Sequence, residues 1–134
     1  MAKKIILTSS DYKKLFKIIQ VYRESSRLKS AHIRQLAEEL ENAAVTDDPL
    51  LLNDVVSINS TVIFKNMESG KSEIVTVVFP SDTDQDGSRI SILSPLGTSL
   101  IGEQEGNITH CLAPTGKIEL RVDKIVARQA VISH

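Results

Sequence analysis

The apolar residues of this 134-residue chain change period near Pro49. Before it, Tyr12, Leu15, Ile19 and Tyr22 recur at helical spacing, as do Ile33, Leu36, Ala37, Leu40 and Ala44. Side chains three or four positions apart share one helix face, so each set is an apolar stripe with a wet opposite side. After Pro49 the period falls to two. Val62 and Phe64 alternate with Thr61, Ile63 and Lys65, and Ile118, Leu120 and Val122 alternate with charged residues. Such alternation marks strands buried on one face. Helices first and sheet second define an α+β chain.

Thr8-Ser9-Ser10 offers an N-cap after an extended lead-in over Lys3 to Leu7, and Asp11 suits the positive end of a helix. The polar run Glu24 to Ser30 separates two helices of about 15 residues, a length that is marginal in isolation. The pattern predicts an antiparallel helical hairpin over residues 1–48, with one long helix through Ser25-Ser26 as the alternative. Pro49 disfavours helix at Asp48, and Leu50-Leu51-Leu52 is an apolar patch that anchors the linker. Residues 49–134 form the second part, and a fragment from residue 46 onward is expected to fold without the arm.

In that part Ile74 to Phe79 is a continuous apolar run suited to a central strand. The polar loop Asp82 to Gly87 precedes a strand over Ser88 to Leu93, another follows over Ile108 to Leu112, and the last runs from Lys117 to Val126. Five antiparallel strands and one short helix are expected. The short helix begins at Ser94-Pro95: proline cannot donate to a sheet ladder but suits the first helical position, with Ser94 as cap. Leu96, Leu100 and Ile101 follow at helical spacing before Gly102. Ser94 and Pro95 therefore sit on a sharp strand-to-helix corner.

The run Ser94-Pro-Leu-Gly-Thr-Ser-Leu-Ile-Gly-Glu-Gln-Glu-Gly106 resembles the Ser-Pro-x-x-x-x-Leu-x-Gly-x-x-x-Gly segment of Gre transcript-cleavage factors. Ala113 to Val126 is similar to their closing hairpin and last strand. Asp54 to Asn66 is closer to a short-armed branch of that family, the regulators of nucleoside diphosphate kinase. The resemblance covers roughly residues 54 to 128 and implies an FKBP-like body with a helical arm in front. It also implies RNA polymerase as the partner, reached at the rim of its secondary channel through Ser94, Pro95 and Leu96. Leu93 stands where Gre factors often carry Asp or Asn. A plain helix cap remains the alternative reading of Ser94-Pro95.

Other chemistry finds little support. Asp82-Thr-Asp84-Gln-Asp86-Gly87 copies the start of a calcium loop, but Leu93 holds the position that needs a bidentate Glu, so an acidic hairpin loop is the better reading. Gly70-Lys71-Ser72 lacks the earlier glycine of a phosphate-binding loop, because residue 65 is lysine. Gly97 to Gly102 is one residue too long for a nucleophile elbow around Ser99. His32, His110, His134 and Cys111 have no zinc-ligand spacing, and adjacent His110 and Cys111 on a strand face opposite ways. An FKBP-like body raises peptidyl-prolyl isomerisation, yet the body carries only Phe64 and Phe79 as aromatics. No cofactor or metal, and no enzymatic activity, is expected. A single cysteine, no bilayer-length apolar run and no signal-peptide pattern point to the cytoplasm.

Net charge is −1 but unevenly spread: residues 1–44 carry nine Lys/Arg and five Asp/Glu, residues 45–134 seven and twelve. A basic arm on an acidic body suits a partner surface of mixed sign rather than duplex nucleic acid. In Gre factors, acidic residues at the arm tip help hold the magnesium ion that activates water for transcript cleavage. Here the expected tip offers Glu24 among Arg23, Arg27 and Lys29. Helices of this length reach only about 22 Å. The sequence thus favours a non-enzymatic regulator that binds polymerase and competes with Gre-type factors. A cleavage stimulator using Glu24, or an adaptor for another protein, are the alternatives.

Overall fold

The computed structural model describes residues 4–25 and 30–128. β1 (Ile6–Leu7) leads into α1 (Ser9–Glu24), followed by α2 (Ala31–Glu41), β2 (Ala44–Val45) and the one-turn helix α3 (Pro49–Leu52). The remainder comprises β3 (Ser60–Asn66), β4 (Ser72–Val78), a 3-10 turn (Pro80–Asp82), β5 (Arg89–Ser91), α4 (Pro95–Leu100), β6 (Ile108–Ala113) and β7 (Gly116–Arg128). Five strands form one sheet in the order β5-β4-β3-β7-β6, and β1 and β2 form a small parallel pair. The architecture is α+β.

The alternating pattern acts as expected. Val62 and Phe64 of β3, Val75 and Val77 of β4, and Leu120 and Val122 of β7 are buried on one face. On the other face Thr61 and Thr76 are cross-strand partners, their hydroxyls 2.7 Å apart. Helices cover the buried face: Leu15 and Ile19 of α1 and Ile33, Leu36, Ala37 and Leu40 of α2 join the strand residues in one cluster. The core is therefore continuous across residues 48 and 49, where the sequence pattern suggests two parts.

Four expectations are corrected. The sheet is not wholly antiparallel, because β5 runs parallel to β4, so Asp82–Gly87 lies in a crossover and not in a hairpin. β4 is interior, as its continuous apolar run suggests, flanked by β5 and β3. Among the described residues the second part holds the α-helices α3 and α4 and a 3-10 turn at Pro80–Asp82, not one short helix, and Ala44 leaves the α2 stripe to pair with Ile6. Finally, the helices do not form an extended antiparallel hairpin. Arg23 in the last turn of α1 reaches Glu41 in the last turn of α2 at 3.2 Å. An antiparallel pair would set those turns at opposite ends of α2, which is about 16 Å long. The helices cross instead, because α2 also packs against α4 and β6.

Gly102 ties the parts together. Its carbonyl accepts the Ile6 N–H at 3.1 Å and its N–H donates to Val56 O at 2.8 Å, while Val56 N–H donates to Glu103 O at 2.9 Å. The residue has φ of +76°, and a Cβ there would lie 2.5 Å from Ile5 Cβ. Only glycine meets both demands.

Candidate docking corner

β5 ends at Ser91 and α4 begins at Pro95, and the three residues between them make the turn. Ser91 O accepts both the Ser94 N–H at 3.0 Å and the Ser94 hydroxyl at 2.7 Å. Ser94 Oγ in turn accepts the Gly97 N–H at 3.1 Å, the N-cap bond expected of serine before proline. Ser91 Oγ accepts the Leu93 N–H at 3.0 Å. Gly97 is equally constrained, since a Cβ there would overlap the Ser91 carbonyl and sit 2.9 Å from Ile92 Cα. The corner is thus rigid in backbone and saturated in hydrogen bonds.

Ser94, Pro95 and Leu96 are half-buried rather than fully exposed, and Leu93 and Leu96 pack against the core. The half-buried Pro95 and Leu96 give the corner an apolar character. His32 of α2 places Nε2 2.9 Å from Leu93 O, tying the first turn of α2 to the corner. That link joins residues 61 positions apart, and no periodicity in the sequence signals it.

The expected tip looks different. Arg23 and Glu41 are both well exposed, so their bond contributes under about 1 kcal/mol, but it turns the Arg23 charge back toward α2. Glu24 is exposed at the end of α1. Arg27 and Lys29 lie outside the described residues.

The remaining motifs resolve into structure. Ser99 is buried and its hydroxyl donates to Leu96 O at 2.6 Å, so it is a packed serine and no nucleophile. Gly70, at φ +75°, closes the β3–β4 turn by donating to Asn66 O at 2.8 Å. Asp84 accepts from the Ser88 hydroxyl at 2.9 Å and the Arg89 N–H at 3.1 Å. Asp86 accepts the Ser88 N–H, which holds its carboxyl below the usual range. The acidic loop is folded on its own hydrogen bonds. Cys111 is buried, which raises its thiol pKa, while neighbouring His110 faces solvent 3.6 Å from Glu119. His134 lies outside the described residues. Among the described residues no helix is long and apolar enough to cross a membrane, and no group of three or more His, Cys, Asp or Glu could hold a metal ion.

A one-sided sheet covered by helices, with a sharp strand-to-helix corner, defines an α+β module. The family model described as transcription elongation factor, GreA/GreB, C-terminal, matches residues 51–127, and the chain belongs to that family. The GreA elongation factor of Amoebophilus asiaticus is 34% identical over 100 residues, covering 75% of this chain and 64% of that protein. The regulator of nucleoside diphosphate kinase of Escherichia coli is 31% identical over 81 residues, 60% of each chain. A solved GreA/GreB factor from Nitrosomonas europaea superposes with a TM-score of 0.72 at 30% identity, covering 93% of this chain and 99% of that one. The chain spans less than two thirds of the length of the curated relatives it matches.

Proposed function

We propose that this chain is a transcription regulator that binds RNA polymerase near its secondary channel and competes there with Gre-type factors, without stimulating transcript cleavage. Residues 49–134, an FKBP-like body as the family resemblance implies, dock through Ser94, Pro95 and Leu96. Residues 1–48 face the channel entrance. Family membership supports the partner, and the cytoplasm is where that partner works. The observation that carries the absence of cleavage is the sequence of the expected tip, Arg23 to Lys29, in which Glu24 is the one carboxylate, whereas magnesium sites are built on several oxygen ligands.

The corner is tested by Ser94→Ala combined with Pro95→Ala. Losing the cap and the fixed φ costs the fold roughly 1–2 kcal/mol, which a domain of this size survives. Competition against a fluorescent Gre factor for core polymerase should weaken at least tenfold, well beyond that stability loss. Glu68→Ala, on the exposed β3–β4 turn, serves as control and should change neither property. A folded double variant that competes as well as wild type would reduce the corner to a cap.

A further inference from the structure

Leu50 and Leu51 are 85% and 56% exposed, and nearby in sequence Val45 is 45% exposed. Leu50 and Leu51 are held outward by an ordered turn. Asp48 caps α3 by accepting the Leu50 N–H on its carboxylate at 3.0 Å, and its carbonyl accepts the Leu51 and Leu52 N–H groups, both at 3.1 Å. Leu52 is buried and fixes the turn from below. A stable turn that spends two of its three leucines on solvent is the pattern of an interaction surface.

The charge around the turn says what would cover it. From Thr46 to Phe64 the chain carries Asp47, Asp48 and Asp54 and no Lys or Arg. Glu105 adjoins Asp54, its N–H donating to Asp54 O at 2.8 Å. The Asp47 carboxylate accepts both the hydroxyl and the N–H of Ser9, which lowers its pKa, and the Lys13 charge adds a smaller part. A symmetric pairing of two copies through this face would set these carboxylates against one another, so the charge argues against a second copy. It matches a segment that presents apolar side chains flanked by Lys or Arg.

We propose that Leu50 and Leu51, with Asp47, Asp48 and Asp54 close by along the chain, dock a basic amphipathic segment of RNA polymerase as a contact beyond the Ser94–Pro95 corner. The inference rests on the polymerase reading above. Fluorescently labelled full-length protein is titrated with core RNA polymerase at two salt concentrations, with thermal melts and sedimentation run alongside. Leu50→Ser with Leu51→Ser should weaken binding roughly tenfold or more while leaving the melt unchanged. Asp54→Asn should weaken it a few-fold and flatten the salt dependence. If the double variant loses its fold, Leu50→Lys alone, at the most exposed position, takes its place and should also weaken binding. Wild-type binding that these changes leave untouched overturns this inference and spares the polymerase reading. No binding by wild type overturns that reading and this contact with it. A wild-type dimer dissolved by Leu50→Ser with Leu51→Ser would assign the face to self-association and overturn the proposed partner.

Discussion

The helical segment and the sheet that follows both bury apolar side chains in one cluster, but they reach it by different means. The sheet satisfies its backbone through ladders between neighbouring strands, with β3 hydrogen-bonded on both sides. The helices satisfy theirs internally and are too short to persist without packing. Eight of their side chains and those of the lead-in, Ile5, Leu7, Leu15, Ile19, Ile33, Leu36, Ala37 and Leu40, complete the core under the sheet. The helical segment is basic and the sheet region acidic, so two surfaces of opposite sign are carried on one folding unit. The helical segment and its lead-in thus supply eight of the nineteen buried residues of that cluster.

The largest consequence concerns a fragment spanning residues 46–134. Its sequence pattern suggests autonomy, but the fragment loses those eight buried side chains. At roughly 1.5–3 kcal/mol for each large one, the loss matches the whole stability of an ordinary domain. We expect calorimetry to show no cooperative transition for the fragment and a clear one for the full chain. A sharp melt close to that of the intact protein would restore the division at residue 48.

Gly102→Ala acts at the junction itself. It places a Cβ 2.5 Å from Ile5 Cβ and forces alanine to φ of +76°. Together these should cost about 3 kcal/mol, read as a lowered midpoint in urea unfolding. Gly70→Ala shares the positive φ but meets nothing within 4 Å, so it should cost only about 1 kcal/mol. Equal losses at the two positions would mean that the contact between lead-in and α4 contributes little.

The smallest effect is electrostatic. Asp47, just past β2, accepts the Ser9 hydroxyl at 2.7 Å and the Ser9 N–H at 3.0 Å, which lowers its pKa from 3.8. A carboxylate depressed on folding stabilises above its unfolded value, and that contribution disappears as pH falls through the folded value. Asp47→Asn keeps one acceptor oxygen, so the melting temperature should fall by about a degree at pH 7. Below pH 4 the variant and wild type should converge. A constant gap down to pH 2 would contradict the assignment.

Much of this was legible in the sequence because it is local. The helix stripes, the Thr8 and Ser94 caps and the alternation in β3 and β7 each follow from residues a few positions apart. The nature of the corner was legible for the same reason, although its degree of burial was not. Pairing direction was not legible: β5 has three residues, and nothing in Arg89-Ile90-Ser91 distinguishes a parallel neighbour from an antiparallel one. The β1–β2 pair and the His32 bond to Leu93 join residues 38 and 61 positions apart, with no periodic signal. The crossing of α1 and α2 is set by what α2 packs against in α4 and β6, which no stripe on α2 reveals.

The central claim is a family member that occupies polymerase without lending it cleavage chemistry. The direct measurement is transcript length in a backtracked elongation complex, at a magnesium concentration where a Gre factor shortens the RNA, with this protein added in excess. We predict no shortening beyond the polymerase's own slow rate, and protection of the transcript when a Gre factor is added afterwards. Cleavage clearly above that intrinsic rate, abolished by Glu24→Gln, would show that one carboxylate suffices and would contradict the account.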